Sequence, residues 1–101
     1  MKIQLDSNTR RFLPLEVELD GKTYDFKYYE PTTADEKEFK QLQKKGTLEQ
    51  VEEANEKLFW KNFTGDENAV VLLKDFLETK ANVSTFIRTC NVNLGKHQIY
   101  V

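Results

Sequence analysis

Residues 13–29 read LPLEVELDGKTYDFKYY, and this stretch decides the fold. Leu13, Leu15, Val17 and Leu19 alternate with Pro14, Glu16 and Glu18, the period of two expected of a strand with one buried face. After Asp20-Gly21 the alternation resumes, with Tyr24, Phe26 and Tyr28 set against Thr23, Asp25 and Lys27. Asp-Gly is a favoured two-residue connection because both positions tolerate the positive φ of a type I′ turn. Such a loop fixes the register: Leu19 faces Lys22, Val17 faces Tyr24, Leu15 faces Phe26 and Leu13 faces Tyr28. Three of these four pairs are apolar and share a face, so turn chemistry and hydrophobic pattern agree. On the other face Glu16 meets Asp25, a like-charge pair that solvent screens. The pattern predicts a β-hairpin over about 13–29.

Beyond the hairpin the pattern turns helical. Glu30-Pro31 ends the second strand, since proline has no N–H for a ladder and biases its predecessor away from helix. Thr33 and Glu36 have capping-box spacing, and the acidic first turn suits the helix dipole, which predicts a mostly solvated helix over 33–45 with Ala34, Phe39 and Leu42 as its apolar residues. Thr47 and Gln50 repeat that spacing and open a helix over 47–63, on which Leu48, Val51, Ala54, Leu58, Phe59 and Phe63 recur at helical intervals. Gly65 stops it and Asp66 can cap the next, over 67–80, the most apolar segment in the chain. A last helix over 83–93, capped by Asn82 or Ser84, carries the stripe Val83, Phe86, Ile87, Cys90, with Asn91, Asn93 and Gly95 as terminators. Met1–Leu5 and residues 97–101 are candidate short strands. No repeat, linker or low-complexity segment divides the chain. The expected architecture is one α+β domain, mostly helical: an N-terminal β-hairpin followed by three to four helices.

Length and composition narrow the function. The 101 residues make one domain with a core of its own. A net charge of −2, from 15 basic and 17 acidic residues, supplies no cationic field for nucleic acid. No apolar run approaches the ~20 residues of a membrane span, and the first residues lack the apolar core of a signal peptide. The expected setting is the cytoplasm. One cysteine, Cys90, excludes an internal disulfide or a multi-cysteine zinc site, and one histidine, His97, argues against a His-dependent catalytic array. Cys90 sits on an apolar stripe, where a thiol is an inert packing residue. Glu49, Glu52, Glu53 and Glu56 share a helix face, read as solvated rather than as a cation site. The four glycines match no phosphate loop. Neither catalytic residues nor a metal or cofactor site is expected.

The order of features resembles the tail assembly chaperones of long-tailed bacteriophages and prophages. LEVELDGKTYDFKYYEPTTADEKEF supplies strand, Asp-Gly-Lys, aromatic strand, Glu-Pro-Thr and acidic helix start, and LFWKNFTGDENAVVLLKDFL resembles the helical part of that family. The likeness covers residues 13–95 in outline and is one of pattern, without a catalytic signature. It implies a non-catalytic protein that binds the tape measure protein, keeps it soluble, helps recruit tail tube subunits, and is absent from the finished virion. The alternatives are a structural tail completion or connector component, and a small bacterial adaptor or regulator.

The partner surface is expected on the helical half. Val70, Leu73, Phe76 and Leu77 lie in a segment with more apolar side chains than one inward stripe needs, and Trp60 and Phe63 extend it. The competing reading puts Trp60 under the hairpin, against Tyr24, Phe26 and Tyr28. Residues 31–68 carry nine acidic residues against six lysines, while residues 69–101 carry four basic against two acidic. Surplus apolar surface and this asymmetry predict concentration-dependent homo-oligomers built head to tail.

Overall fold

The computed structural model describes residues 10–96, so the candidate strands at Met1–Leu5 and 97–101, and His97, lie outside the described residues. Strand β1 (Phe12–Leu19) and strand β2 (Lys22–Tyr29) form the hairpin in the expected register, from Leu19 opposite Lys22 to Leu13 opposite Tyr28, with Glu16 opposite Asp25. Asp20 and Gly21 take φ of 49° and 83°, the positive values that a type I′ turn requires. Gly21→Val will therefore cost about 1–2 kcal/mol, because a β-branched residue resists that region, and thermal unfolding will show the loss.

Hydrogen-bond phase follows from the register. Arg11 O accepts from Glu30 N at 2.9 Å, so the odd-numbered residues of β1 bond to β2, and the even-numbered ones point N–H and C=O to the other edge. Pro14 falls on that outer edge, where its missing N–H breaks no ladder bond. Among the described residues no strand pairs there, because the sheet order is β1-β2-β3.

Helix α1 (Thr33–Lys45) has the expected bounds, but its cap lies one residue before the expected one. Thr32, not Thr33, is the N-cap: its hydroxyl accepts from Asp35 N at 3.1 Å, and Asp35 completes the capping box in place of Glu36. Helix α2 (Leu48–Lys61) is capped as expected by Thr47 and Gln50. It stops two residues short of 63. Asn62, 3% exposed, turns the chain out of the helix with its polar groups engaged: Nδ2 donates to Leu58 O, Oδ1 accepts from Arg10, and its carbonyl accepts from Tyr29 N. Phe63–Gly65 then forms a short strand, β3, antiparallel to β2, which sequence periodicity did not show.

Helix α3 (Glu67–Lys80) is capped by Asp66, whose side chain accepts from Ala69 N. Helix α4 (Val83–Lys96) is capped by Asn82, whose Oδ1 accepts from Thr85 N. It runs past Asn91, Asn93 and Gly95, which do not terminate it. Leu94, four residues on from Cys90, is buried in the core and holds the last turn in place.

The core lies between the inner face of the sheet and the helices. Leu13, Leu19, Phe26 and Tyr28 from the hairpin meet Phe59, Phe63, Leu73, Leu77, Ile87, Cys90 and Leu94. Phe59 is its hub, with ring centroids of Tyr28, Trp60, Phe63 and Phe86 at 4.7, 5.0, 5.3 and 5.9 Å. Helix α1 supplies no side chain to this core and packs chiefly on α2. The radius of gyration, 14.8 Å, exceeds the about 13 Å usual for 100 residues.

Candidate protein-binding surface

The six residues expected at a partner surface are mostly interior. Leu73 is 1% exposed, and Phe63 and Leu77 are buried with it. Val70 and Phe76 are half-buried against the same cluster. The helix turns about 100° per residue, so moving a contact stripe by one position moves it from core to solvent. Exposed apolar surface on α3 is instead at Val71, 65% exposed, and Leu72, 45% exposed.

Trp60 is half-buried, and its partners differ from those expected. Its ring sits edge-on to Phe59 and Phe63, at 5.0 and 5.3 Å, while Phe59 takes the place against Tyr28. The Lys74 ammonium lies 5.0 Å from the Trp60 ring centroid, a cation–π contact that joins α3 to α2 at the surface. Trp60 thus serves the core with one edge and lines a shallow cleft with the other, beside Glu53, Glu56 and Lys57.

A larger apolar feature lies in the groove between α1 and α2. Phe39 and Leu42 from α1 and Ala54 and Leu58 from α2 form its floor, all half-buried, in a cleft of about 540 Å³. Lys45, Lys57 and Lys61 border it, together with Asp35, Glu38 and Gln41. These floor residues were legible as apolar positions of two amphipathic helices, but not as an open groove. That required knowing that α1 leaves the core to the sheet and the other helices. An interhelical groove with an apolar floor and a charged rim is suited to an amphipathic helix.

At the base of this pair, Lys61 Nζ donates to Asp35 Oδ1 at 2.7 Å, with Asp35 buried and Lys61 largely exposed. The Lys61 ammonium holds the Asp35 carboxyl below the usual carboxylate range, with the Thr32 bonds assisting against the opposing effect of burial. A depressed folded value means that the stabilisation is present above the unfolded carboxyl value of about 3.9 and is lost as pH falls through the folded one. The protection of α1 amides, relative to their intrinsic exchange rate at each pH, will therefore fall below about pH 4. Asp35→Asn will remove that acid step and loosen α1 by about 1 kcal/mol at neutral pH, a loss detectable by hydrogen exchange.

The four glutamates of α2 face α4 across a cleft bordered by Arg88, Asn91 and Val92. Glu53 pairs with Lys57 at 3.6 Å. No group of three or more His, Cys, Asp or Glu side chains among the described residues is placed to hold a metal ion. Cys90 is 2% exposed, and burial pushes its thiol up to about 11, which keeps it protonated and unreactive. Burial, assisted by neighbouring Cys90, pushes the Tyr28 hydroxyl up to about 12, so it remains a donor to Asn91 Oδ1. That bond satisfies an asparagine inside α4. No helix among the described residues is long and apolar enough to cross a membrane.

Comparison of the chain with models of protein families, with curated proteins and with solved structures returned no match.

Proposed function

We propose that this chain is a tail assembly chaperone of long-tailed bacteriophages or prophages: a non-catalytic cytoplasmic protein that binds the tape measure protein, keeps it soluble, and helps recruit tail tube subunits. The observation that carries this reading is the order of features along the chain. Hairpin, Glu-Pro-Thr, acidic helix start and LFWKNFTGDENAVVLLKDFL succeed one another as in that family, and they correspond to β1, β2, α1 and then the α2-β3-α3 segment. The α1–α2 groove supplies a physical means. A tape measure protein is a long helical chain with more apolar stripe than it can bury alone, and an apolar floor between two helices can cover one or two turns of such a stripe.

The test is co-expression of the tape measure protein from the same genome with and without this chain. The expected result is soluble tape measure protein that co-purifies with the chain, and loss of both effects in Leu42→Glu/Leu58→Glu, with circular dichroism confirming the fold. A tape measure protein equally insoluble in both cultures would refute the proposal. Mass spectrometry of purified particles separates the structural alternative, since a chaperone is absent from them and a tail component is present.

A further inference from the structure

We propose that α1 is a strap that detaches from α2 while the sheet and the other three helices stay folded. The opening does not depend on the tail-assembly reading.

Few polar contacts tie α1 down. Among the described residues no backbone hydrogen bond joins residues 31–46 to another element. Both ends of the helix are closed by its own residues, Thr32 with Asp35 at the start and Gly46 N–H on Leu42 O at the finish, so detachment breaks no capping bond. One side-chain bond among the described residues reaches out of the segment, between Asp35 Oδ1 and Lys61 Nζ. Lys61 is largely exposed, and an ion pair with one partner in solvent holds weakly.

The apolar contact is also narrow. Asp35 is the one buried residue of α1, whereas α2 gives Phe59 to the core, α3 gives Leu73 and Leu77, and α4 gives Ile87, Cys90 and Leu94. Phe39 and Leu42 are half-buried, and neither they nor Ala54 and Leu58 on α2 belong to the side chains packed on that core. Clefts open on both flanks of the contact, one of about 540 Å³ and one of about 370 Å³. Phe39 and Leu58 line both, so a single row of contacts separates them. A segment with so few buried apolar contacts opens at a free energy below that of global unfolding.

Lifting α1 joins the two clefts into one trough, with Ala54 and Leu58 along it and Tyr28 and Phe59 at its inner side. If the groove is the client site, which rests on the proposed function, the strap lets that site widen for a helix bulkier than the closed groove admits.

Native-state hydrogen exchange of the full chain, read residue by residue at low denaturant and corrected for intrinsic rates, tests this. Once off α2, a helix of 13 residues is marginal in water, so detachment exposes its amides. The α1 amides are expected to open at least about a hundredfold more often than those of β2 and α4, with a shallower dependence on denaturant. Ile87→Val supplies the second measurement. Ile87 is buried in the core and lines neither cleft beside α1, and this mild change is expected to speed exchange in β2 and α4 about two- to tenfold. Exchange in α1 is expected to stay unchanged. If the α1 amides share the protection of β2 and α4, or speed up with them in Ile87→Val, the proposal is overturned. Neither measurement contains a client, so a failed co-expression with the tape measure protein counts against the proposed function and not against the strap.

Discussion

Phe59→Ala will lower the stability of the domain by about 3–5 kcal/mol, the largest effect expected of any single substitution in this chain. The ring is 2% exposed and lies within 6 Å, centroid to centroid, of four other aromatic rings. Those rings come from β2, α2, the start of β3 and α4, so removing Phe59 opens a cavity where four elements meet. They cannot collapse together into that space without breaking the hairpin register or shifting α4. Domains of this size commonly have only about 5–15 kcal/mol in hand, and the loss corresponds to a fall in Tm of more than about 12 °C. Calorimetry will measure it. A loss under about 1 kcal/mol would mean that the aromatic cluster can repack around the vacancy.

Gly65→Ala will destabilise by about 1–3 kcal/mol, an unusual cost for adding one methyl group in a three-residue strand. A Cβ at position 65 would stand 2.6 Å from Phe26 Cδ1 and 3.2 Å from the Asp25 carbonyl oxygen. Phe26 cannot swing away, being 2% exposed and packed on Phe63 at 5.0 Å. Glycine is needed here for close approach across the sheet rather than to end a helix. If the clash is the cause, trimming the ring will relieve it: Phe26→Leu/Gly65→Ala will be less damaging than the sum of the two single changes, and the double-mutant cycle measures the coupling. Additive losses would assign the effect of Gly65 to something other than the ring.

The hairpin was legible residue by residue because two independent signals coincide there. A period of two leaves only two possible faces, and Asp20-Gly21 permits one register. The caps of α2 and α3 were legible as well, since each has one capping residue in the right place. The cap of α1 was expected at Thr33 and is Thr32; both threonines have an acidic residue three positions on. Lys61, distant in sequence, bonds to Asp35 and favours Thr32. Strand β3 was not legible because three residues have no period, and they are held in strand form by pairing with β2 across more than thirty intervening residues. The end of α4 departs from expectation for a related reason. Asparagine and glycine weaken a helix locally, but Leu94 in the core and the Tyr28–Asn91 bond outweigh that preference.

The partner surface suffered most from the missing strand. Val70, Val71, Leu72 and Leu73 are consecutive, so hydrophobicity alone does not tell which arc of α3 faces inward. In the fold α3 packs on β3, with Leu73 and Leu77 in the core and Val71 and Leu72 outside. The groove between α1 and α2 was invisible for a different reason: it exists because the core closes without α1.

The position of Pro14 bears on how safely this protein can be concentrated. An extended chain laid along the outer edge of β1 would meet outward donors at Phe12, Glu16 and Glu18, but none at Pro14, and it would have to pass two carboxylates. A cross-β ladder seeded there stalls at its second rung, so the hairpin is a poor template for amyloid. Among the described residues this edge is therefore not expected to seed fibres that resist detergent and bind thioflavin, and Pro14→Val would restore its missing donor.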